Sequence, residues 1–320
     1  MPFCFCKVGS VLIANIARRL GQALLVLLGV ALAIFIMLRI IPGNAILTMM
    51  GEHADPVVIE RMTAELGLNE PIPTQFLRYL HDAVTGDFGT SYSMHRSVRE
   101  LMGAAFGNTL KLALAAAVFA WLLGIVSGII AAVKKNGLLD RLFMGVSLFG
   151  VSMPVFMAAM LLQYVFAYQL HWVPISRVTD WRGFILPAIA LGWNSAGSIA
   201  RLTRSTLLEV LQEDYIDTAR AKGRRQFGVL TRHALRNAML PVLTMMAVQL
   251  SSMLSGAVIC ETIFSINGIG RLAVQAISGR DIPLLQGTIL FSTALVILGN
   301  FVADSLYSVL DPRIRRGSEQ

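Results

Sequence analysis

Five histidines, three cysteines and a sparse set of carboxylates are the residues able to do bond-making chemistry in this 320-residue sequence. His53, His81, His95, His171 and His233 are scattered through segments read as loops. No H-E-x-x-H puts two of them on one helical face, so a zincin-type centre has no signature here. No G-x-S-x-G elbow presents a nucleophile. No G-x-x-x-x-G-K-[ST] loop cradles a nucleotide phosphate. Cys4 and Cys6 are spaced C-x-C and Cys260 is remote. Two thiols need further ligands to hold a soft metal, and no metal site is assigned. Glu261 and Asp304 are read at the ends of apolar runs, where a carboxylate reaches water. No ionisable residue falls at the centre of such a run, which argues against a proton or sodium relay. An enzyme is therefore poorly supported.

The other polar residues in apolar surroundings suit a path or a packing contact. Ser152 precedes Met153-Pro154, and Pro154 removes a backbone hydrogen bond and is expected to kink its helix. Gln249, Ser252 and Ser255 mark a second apolar run, with Ser251 beside them. Such a stripe lines a water-filled route, or it bonds one helix to the next; both readings stand. Gly124-Ile-Val-Ser-Gly128 lets two helices approach closely and reads as packing.

The elements that hold these residues are membrane-length. Hydrophobic residues make up 55% and charged residues 14%, with a mean hydropathy of +0.66. Ordinary soluble domains carry about 25% charged residues. Stretches free of Asp, Glu, Lys and Arg run over 20–38, 112–133, 142–168, 183–200, 237–260 and 282–303. A spanning helix needs about 20 apolar residues, and none of these runs alternates as a barrel strand does. Six spans follow. Arg18-Arg19 before the first run reads as a membrane anchor rather than an export signal, because no cleavage site follows.

With the N-terminus inside, inner segments carry 17 of the 27 Lys and Arg residues, while the outer segment 42–105 has eight acids against four bases. The net charge of +8 is thus the positive-inside pattern and needs no nucleic acid. The division expected is 1–41 (tail and first span), 42–105 (outer loop), 106–310 (five further spans) and 311–320 (inner tail).

Two polar segments carry most of the information. In 42–105, Pro56–Leu68 and Gln75–Val84 read as helices and Gly86-Asp-Phe-Gly89 as a turn, making a docking surface or a passive cap. In 201–236, Leu207, Leu208, Leu211, Tyr215 and Ala219 recur at helical spacing and predict one amphipathic helix, ended by Gly223. The segment has eight bases and four acids. A knob for a soluble partner and a basic loop held at lipid headgroups are equally good readings.

Read in order, the sequence resembles the inner-membrane permease subunits of bacterial binding-protein-dependent ABC importers. It is most similar to the first permease of the dipeptide, oligopeptide and nickel group. The resemblance runs from about Ile13 to Arg315 and rests on Arg39-Ile-Ile-Pro-Gly43, Gly86-Asp-Phe-Gly-Thr-Ser91, Asn108-Thr-Leu, Glu213-Asp-Tyr-Ile-Asp-Thr-Ala-Arg-Ala-Lys-Gly223, His233-Ala-Leu-Arg-Asn-Ala-Met-Leu-Pro241, Glu261-Thr-Ile-Phe-Ser265, Gly268-Ile-Gly270-Arg271 and Asp311-Pro-Arg-Ile-Arg315.

It implies an all-α integral membrane chain with the type I ABC importer permease fold, both termini cytoplasmic, in the bacterial inner membrane. It implies coupling to the ATPase through Glu213, Asp214, Tyr215, Asp217, Ala219, Arg220, Ala221, Lys222 and Gly223. Ser152, Pro154, Gln249, Ser252 and Ser255 would line the path, and Glu261, Gly268, Gly270 and Arg271 would form the outer gate. Partners would be a second permease, two ATPase subunits carrying ATP and Mg, a periplasmic solute-binding protein and membrane lipid. The solute would be a short peptide, or alternatively nickel or a metal chelate.

Overall fold

The computed structural model describes residues 3–40, 63, 69–175 and 180–310, with side chains for all of these except 3–17, 20, 255–256 and 303–310. The helix expected over Pro56–Leu68 lies outside the described residues but for Thr63, as does the tail 311–320. So do the side chains of Cys4, Cys6, Ser255 and Asp304.

Apart from turns and an isolated bridge between Thr90 and Ser97, the described residues are helical. The helices are α1 (Phe3–Ile40), α2 (Ile72–Thr85), α3 (Val98–Val133), α4 (Leu138–Ser152), α5 (Val155–Leu162), α6 (Ile185–Val210), α7 (Asp214–Ala221), α8 (Gln226–Val229), α9 (Leu235–Ile263), α10 (Ile269–Ser278) and α11 (Ile282–Leu310). A π-helical stretch, Gln163–Gln169, extends α5, and another, Leu230–Ala234, joins α8 to α9. Among the described residues, five helices are long and apolar enough to cross a membrane, and α4 with α5 makes a sixth span if the bent pair counts as one.

That pair is bent by 107°. The kink expected at Pro154 is a full break. Proline drives the residue before it out of the helical region, and Met153 is extended at φ −82°, ψ 124°. The boundary expected between 105 and 106 falls inside α3, which runs unbroken from Val98 through Gly103 and Gly107.

The chain forms two compact units, the described residues of 1–106 with 272–297 and of 107–271 with 298–320. In the first, α1 meets α2 through Phe35, Phe76 and Tyr79, whose rings lie 5.1–6.4 Å apart, with Ala31 and Leu290 beside them. The Arg39 guanidinium sits 3.8 Å above the Phe35 ring and bonds Gln75. The turn after α2 brings Ser91 and Ser93 onto Asp281. The Ser91 hydroxyl (2.6 Å), the Ser93 hydroxyl (2.8 Å) and the Ser93 N–H (3.0 Å) all donate to one carboxylate oxygen. The other oxygen accepts from Leu284 N–H at 3.2 Å and so caps α11.

In the second unit α6 is the central helix, and small residues set its neighbours' direction. Gly192 meets Ala116, Gly124 meets Ala196 and Gly128 meets Ala200, so α3 runs parallel to α6. Gly150 meets Trp193, Ser147 meets Gly197 and Asp140 meets Arg204, so α4 runs antiparallel. A methyl group at Gly128 would lie 2.6 Å from the Ala200 carbonyl, and one at Gly197 2.5 Å from that of Ser147. Close backbone approach is how helices associate where lipid removes the hydrophobic drive. The core around them is largely alanine, including Ala113, Ala116, Ala117 and Ala120 on α3.

Candidate functional site

The polar turn after α6 is built around one buried side chain. The expected single helix breaks: α6 stops at Val210, Gln212 and Glu213 make turn bonds, and α7 starts at Asp214. Glu213 is extended at φ −77°, ψ 142°, and its carbonyl accepts from Ile216 N–H at 2.9 Å. The break re-aims the chain, so Ile216 rather than Tyr215 faces inward. Ile216 is fully buried among Leu207, Val229, Ala234 and Ala238. Burying it contributes roughly 2 kcal/mol. Tyr215 is 41% exposed, and its hydroxyl accepts from the Asn237 amide at 2.8 Å.

The outer face of α7 is left free for contact. Asp214, Asp217, Arg220, Ala221, Lys222 and Gly223 are exposed and Ala219 is half-buried. Asp214 and Asp217 fall in the first turn and Arg220 in the last, each favoured by the helix dipole. The Asp217–Arg220 pair at 2.8 Å is exposed, so it adds little stability. Gly223 ends the knob at φ +75°, its N–H bonded to Arg220 carbonyl at 2.9 Å. These exposed residues form a short, charge-rimmed projection seated by Ile216.

The second cluster gathers at the far end of α9. Glu261, expected to reach water, is instead wholly buried. The first N–H groups of a helix lack internal partners, and α10 begins with such orphans. Glu261 reaches across to supply one: Arg271 N–H donates to Glu261 Oε2 at 3.0 Å. Thr109 on α3 joins both ends, donating its hydroxyl to Glu261 Oε1 at 2.6 Å and accepting from Ile269 N–H at 2.9 Å. Gly268 leaves room for Glu261: a Cβ there would lie 2.2 Å from the carboxylate, which would have to shift. At Gly270 a Cβ would lie 2.7 Å from the Val258 backbone. The Arg271 side chain turns away to the Ser265 carbonyl (2.6 Å) and Asn267 (3.0 Å). The four expected gate residues are therefore close together: Glu261 and Arg271 are hydrogen-bonded, the two glycines allow close packing around them, and Thr109 and Asn108 add bonds from α3, the Asn108 amide donating to Asn267 carbonyl at 2.9 Å.

Residues 124–316 match the family described as the binding-protein-dependent transport system inner membrane component, and residues 12–115 match its N-terminal companion. The chain belongs to this family. It is 40% identical to the dipeptide transport system permease protein DppB of Alkalihalophilus pseudofirmus, over 95% of this chain and 100% of that one. It is 41% identical to the di/tripeptide transport system permease protein DppB of Pseudomonas aeruginosa, over 95% and 99%. It is 40% identical to the glutathione transport system permease protein GsiC of Escherichia coli K12, over 94% and 98%. A chain of the MetNI methionine ABC transporter, solved in inward-facing conformations, shares the fold at TM-score 0.57 and 16% identity, covering 66% of this chain and 96% of that one. The protein is thus a multi-pass inner-membrane permease with the all-α type I importer fold.

Within this permease fold, the expected path residues are less unified than the other two groups. Ser152 and Pro154 are exposed at the α4–α5 break. Ser252 is exposed and turns its hydroxyl back to Gln249 carbonyl at 2.8 Å. The Gln249 Oε1 atom is buried without a protein partner. Ser251 is buried against Gly299, a packing role. Thr109, Asp281, Ile216 and the pair Asp140–Arg204 escaped sequence reading. Thr109 and Ile216 left a trace there, inside the Asn108-Thr-Leu and Glu213–Gly223 runs.

Proposed function

We propose that this chain is the membrane-spanning permease subunit of an ATP-driven importer of short peptides and supplies half of its translocation path. The observation that carries the substrate class is about 40% identity, over nearly the whole of each chain, to permeases named for dipeptides, di/tripeptides and glutathione. Those names favour a peptide over nickel. A second, related permease completes the path. Two ATPase subunits hold ATP and Mg, and a periplasmic binding protein delivers the solute. Both termini lie in the cytoplasm, a placement that the excess of Lys and Arg on the inner segments supports.

The projecting face of α7, Asp214 to Gly223, fits a groove on one ATPase subunit and follows its movement. ATP binding favours the outward-facing arrangement and hydrolysis the inward-facing one, a shift between two populated states. Glu261, Gly268, Gly270 and Arg271 fix the outer end, while Ser152, Pro154, Gln249, Ser252 and Ser255 border the path.

The test is purification of the tagged chain in mild detergent, mass spectrometry of what accompanies it, and reconstitution of the complex. Recovery of a P-loop ATPase and a second six-span permease, with ATP-dependent uptake of a labelled dipeptide, is expected. Recovery of the chain alone after crosslinking, or uptake that survives ATP depletion and collapses under a protonophore, overturns the reading.

A further inference from the structure

We infer that Asp140 and Arg204 are positioning residues for coupling: their ion pair locks α4 to the end of α6 that carries α7, so that the two helices move together. The inference rests on α7 being the element that meets the ATPase. Asp140 is 3% exposed, in the first turn of α4. Arg204 Nε donates to Oδ1 at 2.6 Å and Nη2 to Oδ2 at 2.7 Å, a two-pronged fork. Asn136 N–H donates to Oδ2 at 2.9 Å, from a turn held at φ +62°. The carboxylate thus ties three things together: the turn after α3, the start of α4 and the last third of α6.

The position of the pair gives it mechanical meaning. Arg204 lies two turns before α6 ends at Val210, and α7 follows after a three-residue turn. The α4–α6 seam continues from the pair through Ser147–Gly197 to Gly150–Trp193 and the Asn194 amide, which donates to Val151 carbonyl at 3.0 Å. Beyond Val151 the seam ends at the Met153–Pro154 break, where α5 departs at 107°. A force arriving at α7 therefore meets a clamped pair of helices with a break at the far end. The fork is the charged contact of this seam, and without it α4 is expected to follow α6 less fully. An arginine fork is also the geometry that fixes orientation, which a lysine point charge does not.

The experiment uses the whole complex in proteoliposomes, with ATP hydrolysis and uptake of a labelled dipeptide measured together. Asp140→Asn is expected to lower dipeptide moved per ATP hydrolysed by about fivefold or more, the low end of ordinary coupling effects. A purely structural role would lower both rates together and leave the ratio unchanged. Arg204→Lys gives an intermediate ratio and serves if the first variant does not assemble. A covalent substitute is then installed: Val151→Cys with Asn194→Cys, joined by a short bifunctional thiol reagent, in a chain whose Cys4, Cys6 and Cys260 are alanine. The link is expected to leave an otherwise wild-type chain coupled and to restore the Asp140→Asn ratio to within about twofold. An unchanged ratio in Asp140→Asn and Arg204→Lys overturns the inference. So does a link that blocks uptake in the wild-type background, because the helices would then have to slide, or a link that restores nothing. Ala219→Trp, run in parallel, separates the two readings. Normal uptake by that variant removes α7 from coupling, while the link result still reports on α4 and α6 alone.

Discussion

Replacing Gly268 by alanine tests whether the Glu261 cluster is a real structural unit. The added methyl would lie 2.2 Å from the Glu261 carboxyl carbon and from Oε1, and 2.5 Å from Oε2. No rotamer relieves this for free, because the carboxylate is wholly buried and bound to Thr109 and to Arg271 N–H. It must give up at least one of those bonds. A hydrogen bond to a charged group is worth about 1.5–3 kcal/mol net. If the carboxylate loses its partners altogether, the cost rises toward the ~3–5 kcal/mol of an uncompensated buried charge. The expected loss is therefore about 2–4 kcal/mol. Unfolding in mixed micelles by added SDS, followed by tryptophan fluorescence, measures it. A double-mutant cycle makes the cause specific. In Glu261→Ala the space opposite residue 268 is empty, so adding Gly268→Ala should cost less than about 0.5 kcal/mol further. Losses that simply add, or a Gly268→Ala variant as stable as wild type, would refute the account of why glycine stands there.

Three further outcomes are expected. Burial of the Asp281 carboxyl pushes its pKa up, but bonds from Ser91, Ser93 and Leu284 outweigh this and hold it below the ordinary carboxylate value. The stabilisation is therefore present above about pH 3.9 and lost as pH falls through the lower folded value; SDS unfolding from pH 3 to 6 should show this loss in wild type and not in Asp281→Asn. Gly223→Pro, which forces φ near −65° where the chain has +75°, and Ala219→Trp, which fattens the α7 knob, should abolish coupled uptake while the chain still inserts; wild-type uptake by either removes the knob from coupling. Cysteines at Ser152, Gln249, Ser252 and Ser255 should react with a small water-soluble thiol reagent in at least one nucleotide state, and silence at all four in every state would exclude them from the path.

How far the sequence could be read depended on range. Span positions were legible because a run of about 20 apolar residues announces itself locally. Pro154 announced a bend but not its size, since the 107° turn depends on Met153 becoming extended and α5 finding its own packing. The α7 region was legible by motif and misread by pattern. Leu207, Leu208 and Leu211 keep helical spacing with Tyr215, yet the turn at Gln212–Glu213 shifts the phase and buries Ile216. Periodicity cannot detect such a break, because Gln, Glu and Asp are all compatible with a continuing helix.

The acids show the limit most clearly. Glu261 and Asp281 each satisfy the start of a helix, α10 and α11 respectively; Asp281 stands directly before α11 as a local N-cap, whereas Glu261 does not look like a cap in the sequence. Glu261 lies eight residues before α10 begins, at the end of a different helix, so it falls outside the local S/T-x-x-E pattern that marks a capping box. Hydropathy alone makes it a charge near a membrane surface and puts it in water. The physical demand runs the other way. The start of α10 presents N–H groups in a place where solvent does not reach, and the Glu261 carboxyl accepts where a buried donor would otherwise be left unpaired. Gly268 and Thr109 then follow as requirements of that carboxylate, the one clearing space and the other bonding it. The spacing Glu261, Gly268, Gly270, Arg271 is thus the trace of a single long-range cap.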